Sequence, residues 1–219
     1  MLTDDQIESL AEQFRIDVAI EHDFIPNMLE VLDKMKRQDM ILDVQFFPDG
    51  QFGMSEAYYA PDSRTMHLSH TCASNQMPQH RFTVAHEIAH LLAGHKFTRH
   101  RRVDHGQQFG SEVKKNEREA DKIAAAILVP EKLADVDMLT SARTLANRFG
   151  VSLSMANYRL KTLQERYRIR HGIQRKPLPP VKLAPDGSIV LAVAEEFDTG
   201  DYNAAAKEMA RNARRWNGD

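Results

Sequence analysis

Two histidines separated by three residues, with a glutamate directly after the first, constrain this 219-residue chain more than any other feature. His86 and His90 fall within residues 79–95, where apolar residues recur at helical spacing. Residues four apart lie one above the other on a helix, so both imidazoles can reach one ion at about 2.0 to 2.1 Å. Glu87 is turned slightly around the helix, where it can take a proton from an activated water instead of binding the ion. Packing or surface exposure of the histidines is the alternative explanation.

A second predicted helix, residues 116–129, supplies another ligand of suitable type. Glu117 and Asp121 are four residues apart on it and face the same way. Catalytic zinc usually takes three protein ligands and keeps a fourth position open, so Glu117 is the predicted third ligand. Asp121 is predicted to accept the other N–H of a ligand histidine. A solvated charged face is the alternative, but the apolar residues that follow indicate a buried helix, where unpaired carboxylates are costly. We therefore expect one Zn²⁺ per chain.

These two motifs resemble those of the ImmA/IrrE metallopeptidase family. The resemblance is carried by residues 81–92 (RFTVAHEIAHLL), 116–121 (NEREAD) and 124–130 (AAAILVP). It extends over roughly residues 25–170 and joins two distant motifs in the right order.

The resemblance implies a small gluzincin-like fold in which Glu117 is the third metal ligand beside His86 and His90. It also implies cleavage of helix-turn-helix repressors, which typically control mobile elements, phage defence or stress genes. Glu119 belongs to the same pattern, and we interpret it as a structural residue or as one that supports the metal ligands. The leading hypothesis is therefore a zinc endopeptidase with Glu87 as catalytic base and a regulatory protein as its substrate.

Hydrophobic periodicity and turn residues predict an α+β fold. Residues 1–130 are expected to form a mostly helical core with a small antiparallel three-stranded meander, and the family resemblance implies that this core is a zincin-like peptidase. Residues 131–172 are expected to form a helical, helix-turn-helix-like extension packed on the core. Residues 173–219 are expected to contain a Pro-rich linker, a hairpin and a terminal helix. The three strands are predicted at residues 41–47, 53–60 and 65–69.

The alternative function comes from residues 145–160, whose turn glycine, serine cap and apolar spacing resemble a helix-turn-helix. Its second helix and exit are basic through Arg159, Lys161, Arg166, Arg168 and Arg170. The chain would then be a zinc-stabilised regulator that binds DNA or a partner protein without proteolysis. Packing of these helices on the core is the competing interpretation, and the intact Glu87 favours the enzyme.

Other candidate residues carry weaker predictions. The edge strand at residues 53–60 is expected to pair with an extended substrate. The group that stabilises the transition state is left open among Tyr58, Tyr59, His67, Tyr158 and Arg159. Cys72 is interpreted as buried and structural, with an inhibitory thiolate on zinc as the alternative. His95 and His105 lie outside the motif, in a polar segment interpreted as a solvated loop.

Composition excludes several classes of protein. A net charge of −2 argues against a molecule that binds nucleic acid through its overall charge. The single cysteine forms no intramolecular disulfide, which fits a reducing compartment. The first residues lack the apolar stretch of a signal peptide, and the chain has no apolar run long enough to cross a bilayer. We therefore expect a cytoplasmic protein without membrane contact. Its activator is left open among a partner protein, a nucleic acid and metal supply.

Overall fold

The computed structural model describes residues 1–51, 56–74, 77–95, 111–134 and 136–172, together with two short strands further along the chain. The chain is divided into two compact units, Met1–Gly172 and Ile173–Asp219. All of the functional residues discussed below lie in the first unit. In the second, β4 (Lys182–Leu183) pairs antiparallel with β5 (Ile189–Val190). The predicted Pro-rich linker, the terminal helix and the loop that holds His105 lie outside the described residues.

The first unit is mostly helical. Its helices are α1 (Asp4–Asp17), α2 (Met28–Arg37), α3 (His70–Ser74), α4 (Pro78–Leu92), α5 (Ser111–Leu128), α6 (Ala142–Phe149) and α7 (Leu153–Arg170). Two 3₁₀ turns, Glu131–Leu133 and Val136–Thr140, connect α5 to α6. No helix in the described part of the chain is long and apolar enough to span a membrane.

Local sequence explains where several helices begin and end. Thr3 and Gln6 form a reciprocal capping box at the start of α1. Ser152 caps α7 by accepting the backbone N–H of Met155. α6 ends at Gly150, whose φ of +59° favours glycine and whose added Cβ would lie 2.8 Å from a guanidinium nitrogen of Arg81. α5 begins earlier than the predicted residue 116, so the predicted ligand Glu117 lies well inside a helix.

The sheet confirms the α+β class but not the predicted strand order. β1 (Asp43–Phe47), β2 (Ala57–Ala60) and β3 (Thr65–Ser69) are arranged in the order β1-β3-β2. β3 pairs parallel with β1 and antiparallel with β2, so the prediction of an antiparallel meander was wrong. Four of the five residues of β3 are buried, and a central position gives both of its backbone edges hydrogen-bond partners. The part of the predicted second strand before residue 56 lies outside the described residues.

The core forms where α4 packs between α5 and the sheet. α5 contacts α1 and α4, and β2 contacts α4 from the other side. Ile88 on α4 and Ile123 on α5 are fully buried. The facing part of α5 is rich in alanine, and small side chains let two helix axes approach closely. This close approach lets side chains of α5 reach the histidines of α4.

The α6–α7 pair is anchored to the core by buried arginines. Arg81 on α4 donates to the carbonyl oxygens of Phe149 and Gly150 at 3.2 and 2.7 Å. Arg159 on α7 forms a bidentate pair with Glu8 of α1, at 2.5 and 2.7 Å, and donates to the Val129 carbonyl at 2.9 Å. These contacts fix α7 against both α1 and the end of α5.

Candidate metal centre

Three predicted ligands meet at the face between α4 and α5. The Nε2 atoms of His86 and His90 are 3.0 Å apart. The carboxylate oxygens of Glu117 lie 3.3 Å from the His86 Nε2 and 3.6 Å from the His90 Nε2. Ligands of a tetrahedral zinc at about 2.0 to 2.1 Å are separated from one another by about 3.3 to 3.4 Å. The three donor atoms therefore fit one metal ion, and they form the one such cluster among the described residues.

The three side chains of the cluster differ in how much of their surface is exposed to solvent. The side chain of His90 is 2% exposed, that of His86 is 16% exposed and that of Glu117 is 38% exposed. A catalytic metal site needs an open position for water or substrate. The open side of this cluster lies toward Glu117.

Glu87 lies next to the cluster and is held by the sheet. Its Oε2 accepts a hydrogen bond from the backbone N–H of Tyr59 on β2, at 3.0 Å. The side chain is buried, with 8% exposure, and it is not part of the metal-ligand cluster. The backbone of β2 therefore orients this carboxylate, whose charge contributes to raising the pKa of His86 and which thus lies near the cluster.

Asp121 contacts the opposite nitrogen of the first histidine. Its Oδ1 lies 3.0 Å from the Nδ1 of His86. The contact does not have the geometry of a hydrogen bond, and we describe it as an ion pair. Burial lowers the pKa of His86, but Asp121, Glu117 and the charge of Glu87 outweigh it and raise the pKa to about 9 in the metal-free protein. A carboxylate on Nδ1 favours the tautomer whose Nε2 lone pair faces the metal.

Sequence reasoning missed His95, which the structure places against the second ligand. The Nδ1 of His95 lies 2.9 Å from the Nδ1 of His90, and its Nε2 lies 3.1 Å from Oε2 of Glu119. His95 is buried, whereas the prediction placed it in a solvated loop. The usable signal was Gly94, because a glycine after a helix often turns the next residue back over the last turn.

An open cavity of about 840 Å³ lies between α4, α5 and the start of α7. It is connected to the cluster through Asp121, which contacts His86, although none of the three candidate ligands lines it. Phe82, Asp121 and Tyr158 are among the residues that line it. Tyr158 is 44% exposed, and burial raises the pKa of its hydroxyl, which therefore stays a hydrogen-bond donor at neutral pH.

The other four candidates for transition-state stabilisation are positioned less favourably. Arg159 is buried in its pair with Glu8. Tyr59 belongs to the hydrophobic core. Tyr58 and His67 are paired across β2 and β3, with their rings stacked at 4.4 Å, and they face away from the core side of the sheet that Tyr59 and Met66 occupy. Of the five candidates, Tyr158 therefore best fits the cavity beside the cluster.

Cys72 is a buried thiol outside the metal cluster. Burial, followed by the charges of Glu56, Asp49 and Glu87, raises its pKa to about 12. The side chain is 2% exposed and its Sγ lies 3.9 Å from the carbonyl oxygen of His80. These observations support a structural role over a thiolate that binds zinc.

The family of the chain follows from its similarity to known proteins. Residues 37–161, more than half of the chain, match the Peptidase_M78 family, described as the IrrE N-terminal-like domain. The chain belongs to this family. No curated protein matches it significantly.

A solved structure described as a Mycobacterium tuberculosis transcriptional regulator is similar at 18% sequence identity and a TM-score of 0.51. The match covers 84% of this chain and 54% of that chain, so the Peptidase_M78 chain spans about half the length of that protein. At this identity the likeness supports the fold alone.

Proposed function

We propose that this protein is a zinc-dependent endopeptidase that cleaves a regulatory protein. The observation that carries the proposal is the position of Glu87 beside the cluster of His86, His90 and Glu117, with its carboxylate held by the Tyr59 N–H. A purely structural metal site would not need a carboxylate positioned next to its ligands. Membership of the Peptidase_M78 family supports the same conclusion.

The proposed reaction is hydrolysis of a peptide bond by an activated water. Zinc, when bound, supplies a Lewis acid that polarises the scissile carbonyl and acidifies water. Glu87 takes the proton of the attacking water and returns it to the leaving amine. Asp121 keeps His86 oriented, and Tyr158 donates a hydrogen bond to the developing oxyanion from the wall of the cavity.

The substrate is proposed to bind as an extended strand. β2 lies at an edge of the sheet and its Tyr59 touches Glu87, so a peptide that adds to this edge would pass the catalytic base. The cavity beside the cluster has room for side chains of that peptide. A helix-turn-helix repressor of mobile-element, phage-defence or stress genes is the proposed substrate. This step rests on the resemblance to the ImmA/IrrE family, with a partner protein or a nucleic acid as the proposed activator.

Four of the five basic residues that suggested DNA binding form ion pairs within the first unit. Arg159 pairs with Glu8, and Arg166 and Arg170 both pair with Glu131. Arg168 pairs with Glu165 on its own helix. Phosphate binding by the buried Arg159 would have to break its pair with Glu8, and this supports the enzyme over the alternative of a regulator that binds DNA without proteolysis.

A Glu87→Gln variant tests the proposal by trapping the substrate. Glutamine keeps an oxygen that can accept the Tyr59 N–H but cannot take a proton, so zinc should stay bound and turnover should fall by at least about 10²-fold. The tagged variant is expressed in the native host, and proteins that remain bound are identified by mass spectrometry. Glu112→Gln, an exposed change on α5, is the matched control and should behave as wild type.

The captured protein is then incubated with wild type, Glu87→Gln and Glu117→Ala. We expect a helix-turn-helix repressor that wild type cuts and neither variant cuts, with zinc lost from Glu117→Ala alone. Capture of DNA or of an uncut partner, with equal behaviour of wild type and Glu87→Gln in cells, would overturn the peptidase proposal in favour of the binding regulator.

A further inference from the structure

Behind the second predicted ligand lies a chain of polar contacts that the proposed reaction does not use. It runs from His90 through His95 to Glu119, and the second carboxylate oxygen of Glu119 accepts the backbone N–H of Leu2. His90, His95 and Glu119 are all buried. Buried polar groups are expensive unless each one has a partner, so a continuous chain of three such side chains calls for an explanation.

The backbone after α4 brings His95 into this position. Gly94 has a φ of +66°, and its N–H bonds to the Leu91 carbonyl at 3.1 Å. The N–H of His95 bonds to the His90 carbonyl at 3.0 Å. This pair of bonds is a Schellman motif, which turns the chain back over the last helical turn and brings the imidazole of His95 onto that of His90.

The direction of the hydrogen bonds follows from what each group can donate. An ionised Glu119 only accepts, so the Nε2 of His95 carries a proton toward it. The Nδ1 of a neutral His95 then accepts, and the Nδ1 of His90 must be the donor at 2.9 Å. The lone pair of His90 is thereby left on Nε2, the atom that lies 3.0 Å from Nε2 of His86 in the metal cluster.

We infer that His95 and Glu119 are positioning residues that hold His90 in the tautomer and orientation needed to bind the metal. The Nδ1 of His86 lies against Asp121 in an ion pair, so each histidine of the cluster has a polar group next to its Nδ1. His95 is not a fourth ligand, because it contacts His90 through the nitrogen that faces away from Glu117. The inference rests on the metal site of the proposed function and adds the residues that hold its α4 ligand His90 in place.

Crossed amide substitutions at His95 separate this role from a structural one. The amide of asparagine can place an oxygen near the position of Nδ1, toward His90, whereas that of glutamine reaches the position of Nε2, toward Glu119. His95→Ala removes both contacts. His80→Gln is the matched control, since His80 is a second buried histidine, lies on α4 and contacts Gln79 and Glu56.

Zinc affinity is measured on the full chain by competition with a chromophoric chelator, and the visible spectrum of the Co²⁺ form reports ligand geometry. Loss of a hydrogen-bond partner behind a ligand histidine weakens metal binding by about 10- to 100-fold. We expect this loss for His95→Ala and His95→Gln, with an altered Co²⁺ spectrum. His95→Asn should recover most of the affinity, and His80→Gln should match wild type.

The outcomes distinguish this inference from the proposed function. If wild type binds zinc and His95→Ala binds it equally well, the positioning role is refuted and the metal site stands. If His95→Gln recovers affinity and His95→Asn does not, the link to Glu119 has a structural role and the inference is also overturned. If wild type binds neither Zn²⁺ nor Co²⁺, the proposed function fails and the inference fails with it.

Discussion

The ion pair between Glu8 and Arg159 holds α7 on the core, and its removal should lower the free energy of unfolding. The side chain of Arg159 is 2% exposed, and its guanidinium donates two hydrogen bonds to Glu8 and one to the Val129 carbonyl. Glu8→Ala leaves this buried charge with a single carbonyl partner. Breaking a buried pair in this way costs about 3 to 5 kcal/mol. We expect a loss near 3 kcal/mol, because Glu8 is 12% exposed and water can enter after its removal.

Glu12 provides the matched control, since it lies one turn further along α1 and pairs with Lys132. The side chains of this pair are 38% and 73% exposed, and exposed ion pairs contribute about 0 to 1 kcal/mol. A Glu8→Leu/Arg159→Met double variant removes both charges and should regain most of the stability lost in Glu8→Ala, because the remaining apolar pair leaves no buried charge unpaired.

Urea unfolding followed by far-UV circular dichroism compares the free energy of unfolding of these variants. For a protein of this size 3 to 5 kcal/mol corresponds to a fall in Tm of about 6 to 20 °C. If Glu8→Ala and Glu12→Ala differ by less than about 1 kcal/mol, the pair does not hold α7 on the core, and α7 becomes available for the DNA-binding alternative.

Three further predictions test the site. In the metal-free protein the pKa of His86 is raised to about 9, so the charged form of His86 stabilises the folded state. This stabilisation is fully present below about pH 6.5 and is lost as the pH rises through about 9. Zinc competes with the same proton, so affinity in a chelator competition should rise up to about tenfold per pH unit from pH 7 to 9, and a flat profile would contradict this. Cys72, with its pKa raised to about 12, should react with iodoacetamide only after denaturation, and rapid labelling of the native protein would exclude a buried thiol. Tyr158→Phe should lower kcat about 10²- to 10³-fold on the captured substrate and leave zinc affinity unchanged, while unchanged kcat would remove Tyr158 from the proposed reaction.

The metal cluster was predictable because its parts are local. His86 and His90 share a helix face through their spacing alone, as do Glu117 and Asp121. The distance between the two helices is a different matter, because it depends on how closely their side chains let the axes approach. The alanines of α5 let the two axes approach closely, and the contacts of about 3 Å between His86 and its partners follow from this packing and not from the local spacing.

The two failures of prediction have a common physical origin. β3 lies between β1 and β2, where both of its backbone edges are paired with other strands. An alternating pattern of apolar residues predicts a strand but does not predict which strands lie next to it. His95 looked like one more polar residue in a run of histidines and arginines. A helix C-cap determined its direction, and its burial depends on Glu119, 24 positions further along the chain.

The arginines of α7 are compatible with two functions, DNA binding and attachment of the helix to its own protein. A basic helix that binds phosphate and a basic helix that docks on its own protein can have the same composition, because arginine serves both roles. They differ in whether a carboxylate of the same protein pairs with the arginine in the folded state. For Arg159 that carboxylate belongs to Glu8, which is 151 positions away in the sequence. The side chain of Arg159 is 2% exposed, so it cannot reach a phosphate without leaving its partner. Arg159 is therefore better understood as an attachment of α7 to α1 and to the end of α5, and α7 contributes Tyr158 to the wall of the cavity.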